Sequence, residues 1–306
     1  MKRPDYPFAP STSHPSSNAK VYDSYDASSP PPHPGPRWTR FVCISDTHSR
    51  TSYPLPPGDV LLHAGDLSSH GRPSHLTKTL EWLLEQPHAE KVIIAGNHDH
   101  SLDQTNMPRH GKHKQKNRIF LDVTDAQLDD LYDMVKGERA REAHIHYLEH
   151  ESLELKLDNG KTWKLYGSPA APMYAWGSFQ YVDDEEARAI YNPIPPDTSI
   201  LLTHTPPQSI RDLSSSGARA GCPILSKRLK DLKQCRLHVF GHIHESHGYE
   251  MHGVGEYERV SVNGAMAYGG QAIIVDLKNE IGDEVADEDK SGVEGAILGI
   301  TGMTLK

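Results

Sequence analysis

Five times in this 306-residue sequence a short apolar run stops and is followed at once by histidine, aspartate or asparagine. The stretches are Asp46-x-His48, Gly65-Asp66, Gly96-Asn97-His98-Asp99, His204 and Gly241-His242-x-His244. From them, four imidazoles, two carboxylates and one amide make a set of nitrogen and oxygen donors suited to divalent metals such as Mn, Fe or Zn. No thiolate belongs to the set, which argues against a structural zinc site. Seven donors exceed what one ion needs when positions stay open for substrate. They suffice for two ions sharing a bridging carboxylate. Each stretch alone reads as turn chemistry, because Asn, Asp and Gly end strands routinely. Five in one chain do not.

The elements that must position these groups follow from hydrophobic pattern. Residues 41–44, 60–64, 92–95, 200–203 and 237–240 are short apolar runs that read as buried strands. Strand ends of this kind sit at the carboxyl edge of an open sheet, where such sheets bind ligands. Between them fall helical patterns. One carries Leu76, Leu80, Leu83 and Leu84, and another, capped by Thr124, carries Leu128, Leu131 and Val135. A third opens with four acids at 183–186, and a fourth starts at Pro223 with Leu225, Leu229 and Leu232. Alternation of strand and helix predicts an α/β fold. Runs at 144–149, 152–157 and 162–166 have no helix between them, and Asp158-Asn159-Gly160 reads as a hairpin turn. These three predict a second, partly antiparallel sheet. Strands at 259–262 and 272–277, turning at Asn263-Gly264, complete the pattern.

Composition bounds the function. A net charge of −9 disfavours nucleic-acid binding, which needs a cationic surface. Twenty histidines in an acidic chain fit metal ligation. Three scattered cysteines make neither a disulfide framework nor a thiolate site, so an intracellular setting is the default: cytoplasmic, with the nucleus left open. No apolar run is long enough for a membrane span. Residues 1–36 hold nine prolines and seven serines and read as a disordered tail. Its Pro-rich end is of the kind that SH3- or WW-type protein grooves accept, although a solvated tail is the leading expectation. Residues 37–278 form the folded domain, and 279–306 an acidic, then Gly-rich tail. The basic stretch at 101–118 reads as a solvated loop.

The five stretches, in this order, resemble the motifs of the calcineurin-like metallophosphoesterase superfamily over roughly residues 38–278. Ile44 to Ser49, Pro57 to Asp66, Tyr166 to Pro169 and Leu237 to Glu245 are similar to one branch, the metallophosphoesterase-domain-containing proteins. The resemblance implies two mixed β-sheets packed as a sandwich flanked by helices, classed α/β or, in some schemes, α+β. It implies one metal on Asp46, His48 and His244, a second on Asn97, His204 and His242, and Asp66 bridging them. His98 would face substrate and serve the leaving group, with Asp99 orienting it. Two divalent ions follow as cofactors, Mn first, with Fe, Zn or Mg as alternatives. The reaction implied is attack of a metal-bridging hydroxide on a phosphodiester, or phosphomonoester, of a small molecule. His70, Ala95 and Ser69 stand where serine/threonine and purple acid phosphatases carry arginines and a tyrosine, which disfavours both subclasses. Arg50 and Asn263 are weaker candidates for substrate contact, and His63 reads as a core histidine. A nuclease and a low-turnover metal-binding scaffold are the competing functions.

Overall fold

Strands that are apolar at every position, rather than at alternate ones, must be covered on both faces. The computed structural model, which describes residues 16–105, 123–253 and 255–280, shows how. One six-stranded sheet contains β1 (Ala19–Tyr22), β2 (Trp38–Ile44), β3 (Val60–Ala64), β4 (Glu90–Ile94), β5 (Ile145–Tyr147) and β14 (Ile273–Lys278), in the order β1-β14-β2-β3-β4-β5. The other contains β6 (Glu151–Lys156), β7 (Thr162–Ser168), β10 (Ile200–Thr203), β11 (Leu237–Phe240), β12 (Gly248–His252) and β13 (Arg259–Asn263), in the order β12-β13-β11-β10-β7-β6. Strands β2, β3, β4 and β5 are mutually parallel, as are β7, β10, β11 and β13. The antiparallel strands lie toward the margins.

Side chains alternate between two layers. Phe41, Cys43, Leu62, Val92 and Ile94 of the first sheet meet Trp163, Leu165, Ile200, Leu202, Leu237 and Val239 of the second in the core between them. Val42, Ile44, Leu61 and Ile93 face outward onto helices α1 (Pro73–Leu84) and α2 (Asp125–Lys136), through Leu76, Leu80, Leu83, Leu131 and Val135. Thr124 caps α2, as expected, and with Gln127 it forms a capping box. A short α3 (Glu138–Glu142) follows. Outside the second sheet, α4 (Asp184–Tyr191) and α5 (Pro223–Arg228) cover Tyr166 and Leu201 through Tyr191 and Leu225. The fold is a mixed α/β sandwich of two sheets between helices, as the resemblance implied.

Three expectations need correction. The run at 144–149 does not join the second sheet; β5 pairs in parallel with β4, and only β6 and β7 form the hairpin. Asn263-Gly264 is not a hairpin turn, because β13 and β14 lie in different sheets and the chain crosses between them there. The segment preceding residue 37 is not all disordered: β1 pairs antiparallel with β14, at the edge of the first sheet. Residues 1–15, 106–122 (with most of the basic stretch) and 281–306 lie outside the described residues. Composition misjudged residues 16–36 because much of what holds them is backbone hydrogen bonding. Buried Arg40 donates to the carbonyls of Pro31 and Pro32, and Arg236 donates to that of Asn18.

Arg40 also makes a two-pronged ion pair with Asp276 of β14, at 2.7 and 2.8 Å, and both residues are at most 2% exposed. Removing one partner strands the other charge in the core. Asp276→Ala is therefore expected to lower unfolding stability by about 3 kcal/mol in urea titration. A loss below about 0.5 kcal/mol contradicts this role.

Candidate metal centre

The carboxyl ends of β2, β3, β4, β10 and β11 all reach one edge of the sandwich, so each polar stretch arrives at the same place from a different strand. The turns are tight. Asp46, His48, Asp66 and His242 have φ of 52°, 47°, 53° and 66°, a left-handed backbone that costs a non-glycine residue of order 1 kcal/mol. Cross-strand hydrogen bonds enforce it: Asp46 N–H donates to the Gly65 carbonyl at 2.9 Å, and His48 N–H to that of Asp66 at 3.1 Å. Two motif glycines are needed for space. A Cβ on Gly96 would collide with Asp66 Oδ1, and one on Gly241 with Asp46 Oδ2.

Two groups of donors result. Asp46, His48, Asp66 and His244 bring one ligand atom each within 4.8 Å of one another. His244 Nε2 lies 3.1 Å from Asp46 Oδ1 and 3.2 Å from His48 Nε2. Asn97 Oδ1 lies 2.9 Å from both His204 Nε2 and His242 Nδ1. Asp66 faces both groups, with Oδ2 at 3.8 Å from His48 Nε2 and Oδ1 at 3.3 Å from His204 Nε2. Backbone carbonyls set the rings. His48 Nδ1–H donates to that of Ser68 and His204 Nδ1–H to that of Ala64, so each Nε2 faces the cluster.

The electrostatics fit a cation. Asp46 and Asp66 are at most 1% exposed, and buried carboxylates need opposite charge. Burial drives the Asp46 carboxyl up, but the bond and charge of His244 outweigh it and leave it at about 2. Burial likewise pulls the His204 imidazolium down, yet Asp66 and Asp46 raise it to about 9. Burial, then the charge of His204, lowers His242 to about 4. Carboxylates and imidazoles whose ring nitrogens face inward make a donor set that suits a divalent ion once its binding displaces the proton on His204.

His98 stands apart. Its side chain is 42% exposed, its Nδ1–H donates to the Ser69 carbonyl at 2.8 Å, and its Nε2 lies 4.0 Å from Asp66 Oδ2. Asp99 does not orient it. The Asp99 carboxylate is fully buried and accepts from the N–H groups of Leu67, Ser68 and Gly96 and from the Ser68 hydroxyl. It stitches the turn after β3 to the turn after β4, and Ser69 performs the orienting. That role left no mark in the sequence, because a carbonyl belongs to every residue.

Arg50 and Asn263 are also spent elsewhere. Arg50 donates to the Ala267 carbonyl at 3.0 Å. Asn263 is buried; its Nδ2 donates to the carbonyls of Arg211 and Ile243 and its Oδ1 accepts from Ala265 N–H. It braces the loop that carries His242 and His244 rather than facing substrate. His63 is a core histidine, 2.9 Å from the Thr47 hydroxyl. Buried His100, just beyond Asp99, stacks on Trp176.

Residues 39–246 match the family model for calcineurin-like phosphoesterase. Metallophosphoesterase domain-containing protein 1 of Homo sapiens is 37% identical over 239 residues, 76% of this chain and 70% of its own length. Probable rhamnogalacturonate lyase C of Emericella nidulans is 37% identical over 213 residues, 69% of this chain. The match spans only 18% of that larger relative. A solved structure, TT1561 of Thermus thermophilus, has a TM-score of 0.42 and 12% identity, covering 74% of this chain and 88% of its own.

The geometry sets two expectations. A cation must displace the proton that His204 holds below about pH 9, so Mn²⁺ affinity is expected to rise from pH 6 toward 9. Calorimetry in buffers of different ionisation enthalpy checks it by the protons released. Asp99→Ala leaves three buried N–H groups without an acceptor and is expected to cost about 3 kcal/mol in unfolding titrations. His98→Ala, at a half-exposed position, is the control and is expected to change stability by less than about 0.5 kcal/mol.

Proposed function

The chain belongs to the calcineurin-like phosphoesterase family, and from that premise we propose that it is a dinuclear metal-dependent hydrolase of small phosphate esters, phosphodiesters foremost. The observation that carries this is the Asp66 carboxylate, whose two oxygens face two separate donor groups. Asp46, His48 and His244 would hold one ion, Asn97, His204 and His242 the other, and Asp66 would join them. Mn²⁺ is the proposed metal, with Fe, Zn and Mg as the alternatives an N/O set accepts. When bound, the ions supply Lewis-acid polarisation of a phosphoryl oxygen and a lowered pKa for water.

The protein's own groups do the rest. The Asp66 and Asp46 carboxylates, buried and held by backbone N–H groups, keep the donors at fixed separations. His98 presents Nε2 to solvent beside the cluster while Ser69 fixes its ring through Nδ1–H. A protonated Nε2 there can donate to the leaving oxygen as charge develops on it. A second reading, a metal-dependent nuclease, is disfavoured by the net charge of −9. A low-turnover scaffold remains the non-enzymatic alternative. No helix among the described residues is long and apolar enough to cross a membrane, and we place the protein in the cytoplasm as part of the same proposal.

Hydrolysis of bis- and mono-p-nitrophenyl phosphate with added Mn²⁺, alongside metal analysis, tests the assignment. Asp66→Ala is expected to lose both metal and activity. His98→Ala is expected to keep its metal and lose roughly 10²- to 10⁴-fold in kcat. Full activity in Asp66→Ala sinks the bridging role, and two bound metals without turnover in the wild type favour the scaffold.

A further inference from the structure

Beside the donor cluster, the connection from β8 (Ala171–Pro172) to β9 (Gln180–Tyr181) carries Met173, Tyr174 and Trp176. They are 60%, 89% and 53% exposed. Several large apolar side chains exposed together on one short loop mark a contact surface more often than chance. This loop is also tied to the cluster itself. Ser178 N–H donates to the carbonyl of Asn97 at 2.9 Å, and a Cβ on Gly177 would come within 3.2 Å of the Asn97 side chain. Buried His100 stands 2.8 Å from the Ser178 hydroxyl and stacks on the Trp176 indole, with centroids 4.0 Å apart and planes at 23°. Phe179 N–H donates to Asp103 at 3.0 Å. The indole is thus fixed on one face by His100 and still half exposed.

The other group of donors has an aromatic neighbour too. Tyr268, 60% exposed, meets His244 edge-on at 5.2 Å. Its loop is anchored to the end of β2 by the Ser45–Ala265 bridge and by Met266 N–H donating to the Ser45 carbonyl at 2.9 Å. Arg50 and Tyr53 donate to the carbonyls of Ala267 and Met266. Arg50, expected to touch substrate, instead holds the loop that carries Tyr268.

Rings that are exposed but already held in place lose little freedom when a ligand stacks on them. We propose that Trp176, with Tyr268 on the opposite group of donors, forms an aromatic recognition face that selects phosphate esters carrying a flat aromatic group over alkyl esters. This rests on the phosphoesterase reading and deepens it. Trp176 is the principal platform, because His100 presents the broad face of its indole. Tyr174 and Met173 extend the same surface. The four residues determine specificity and leave the chemistry to the cluster.

Non-hydrolysable probes separate recognition from turnover. The Mn²⁺-loaded protein is titrated calorimetrically with phenylphosphonate and with methylphosphonate. The wild type is expected to bind the phenyl compound about tenfold more tightly. In Trp176→Ala that ratio is expected to fall to about one with methylphosphonate affinity unchanged, and Trp176→Phe is expected to keep most of it. Tyr268→Ala is expected to give a smaller loss of the same kind. Equal affinities in the wild type, or a ratio unmoved in both alanine variants, overturn the aromatic face while leaving the phosphoesterase intact. Failure of both phosphonates to bind the metal-loaded protein overturns the phosphoesterase reading and this one with it.

Discussion

Two carboxylates, Asp46 and Asp66, are carried to a place where neither is exposed by more than 1%. Charges buried without partners cost several kcal/mol each, so the surrounding fold must supply opposite charge or strong hydrogen bonds at fixed points. Here the charged partners come from the far side of the molecule. His204 and His244 belong to connections of the second sheet, whereas the carboxylates end strands of the first. The sandwich has to close for the carboxylates to be tolerated. Its closure in turn gathers inward-facing nitrogen and oxygen atoms around a space that suits a cation.

Backbone geometry carries that constraint outward. Left-handed turns at Asp46, Asp66 and His242 reverse the chain tightly at the sheet edge. Gly96 and Gly241 leave room for the carboxylates of neighbouring turns. Asp99 then locks the turns after β3 and β4 together through three backbone N–H groups, so a residue placed among the catalytic ones by its position is structural by its contacts. The frame is closed around the two carboxylates. His98, Trp176 and Tyr268 are exposed side chains next to it.

The N-terminal segment obeys the same economy of hydrogen bonds. Residues 16–36 have little apolar surface to bury, but their carbonyls satisfy Arg40 and Arg236, cations that the sheets have already enclosed. A proline-rich chain is suited to this, since it has many free carbonyls and few N–H groups that need partners. The order of this segment therefore depends on the folded sheets, and the Arg40–Asp276 pair joins it to β14.

Local sequence was enough to identify the strands, because runs such as 60–64 and 200–203 are apolar at every position and stop at polar residues. It was enough to find α1, α2 and their faces, and the five polar strand ends with their donor types. Those features depend on short-range pattern and on chemistry that each residue carries with it. Tertiary structure alone decided which sheet β5 joins, that Asn263-Gly264 crosses between sheets, and that β1 and β12 exist as edge strands. It also decided that Ser69 orients His98, that Asp99 stitches two turns, and that Arg50 braces the loop of Tyr268. Each of these depends on a backbone group or on a partner distant in the chain. A carbonyl leaves no signature in a sequence, and a long-range partner is settled only when the two sheets meet.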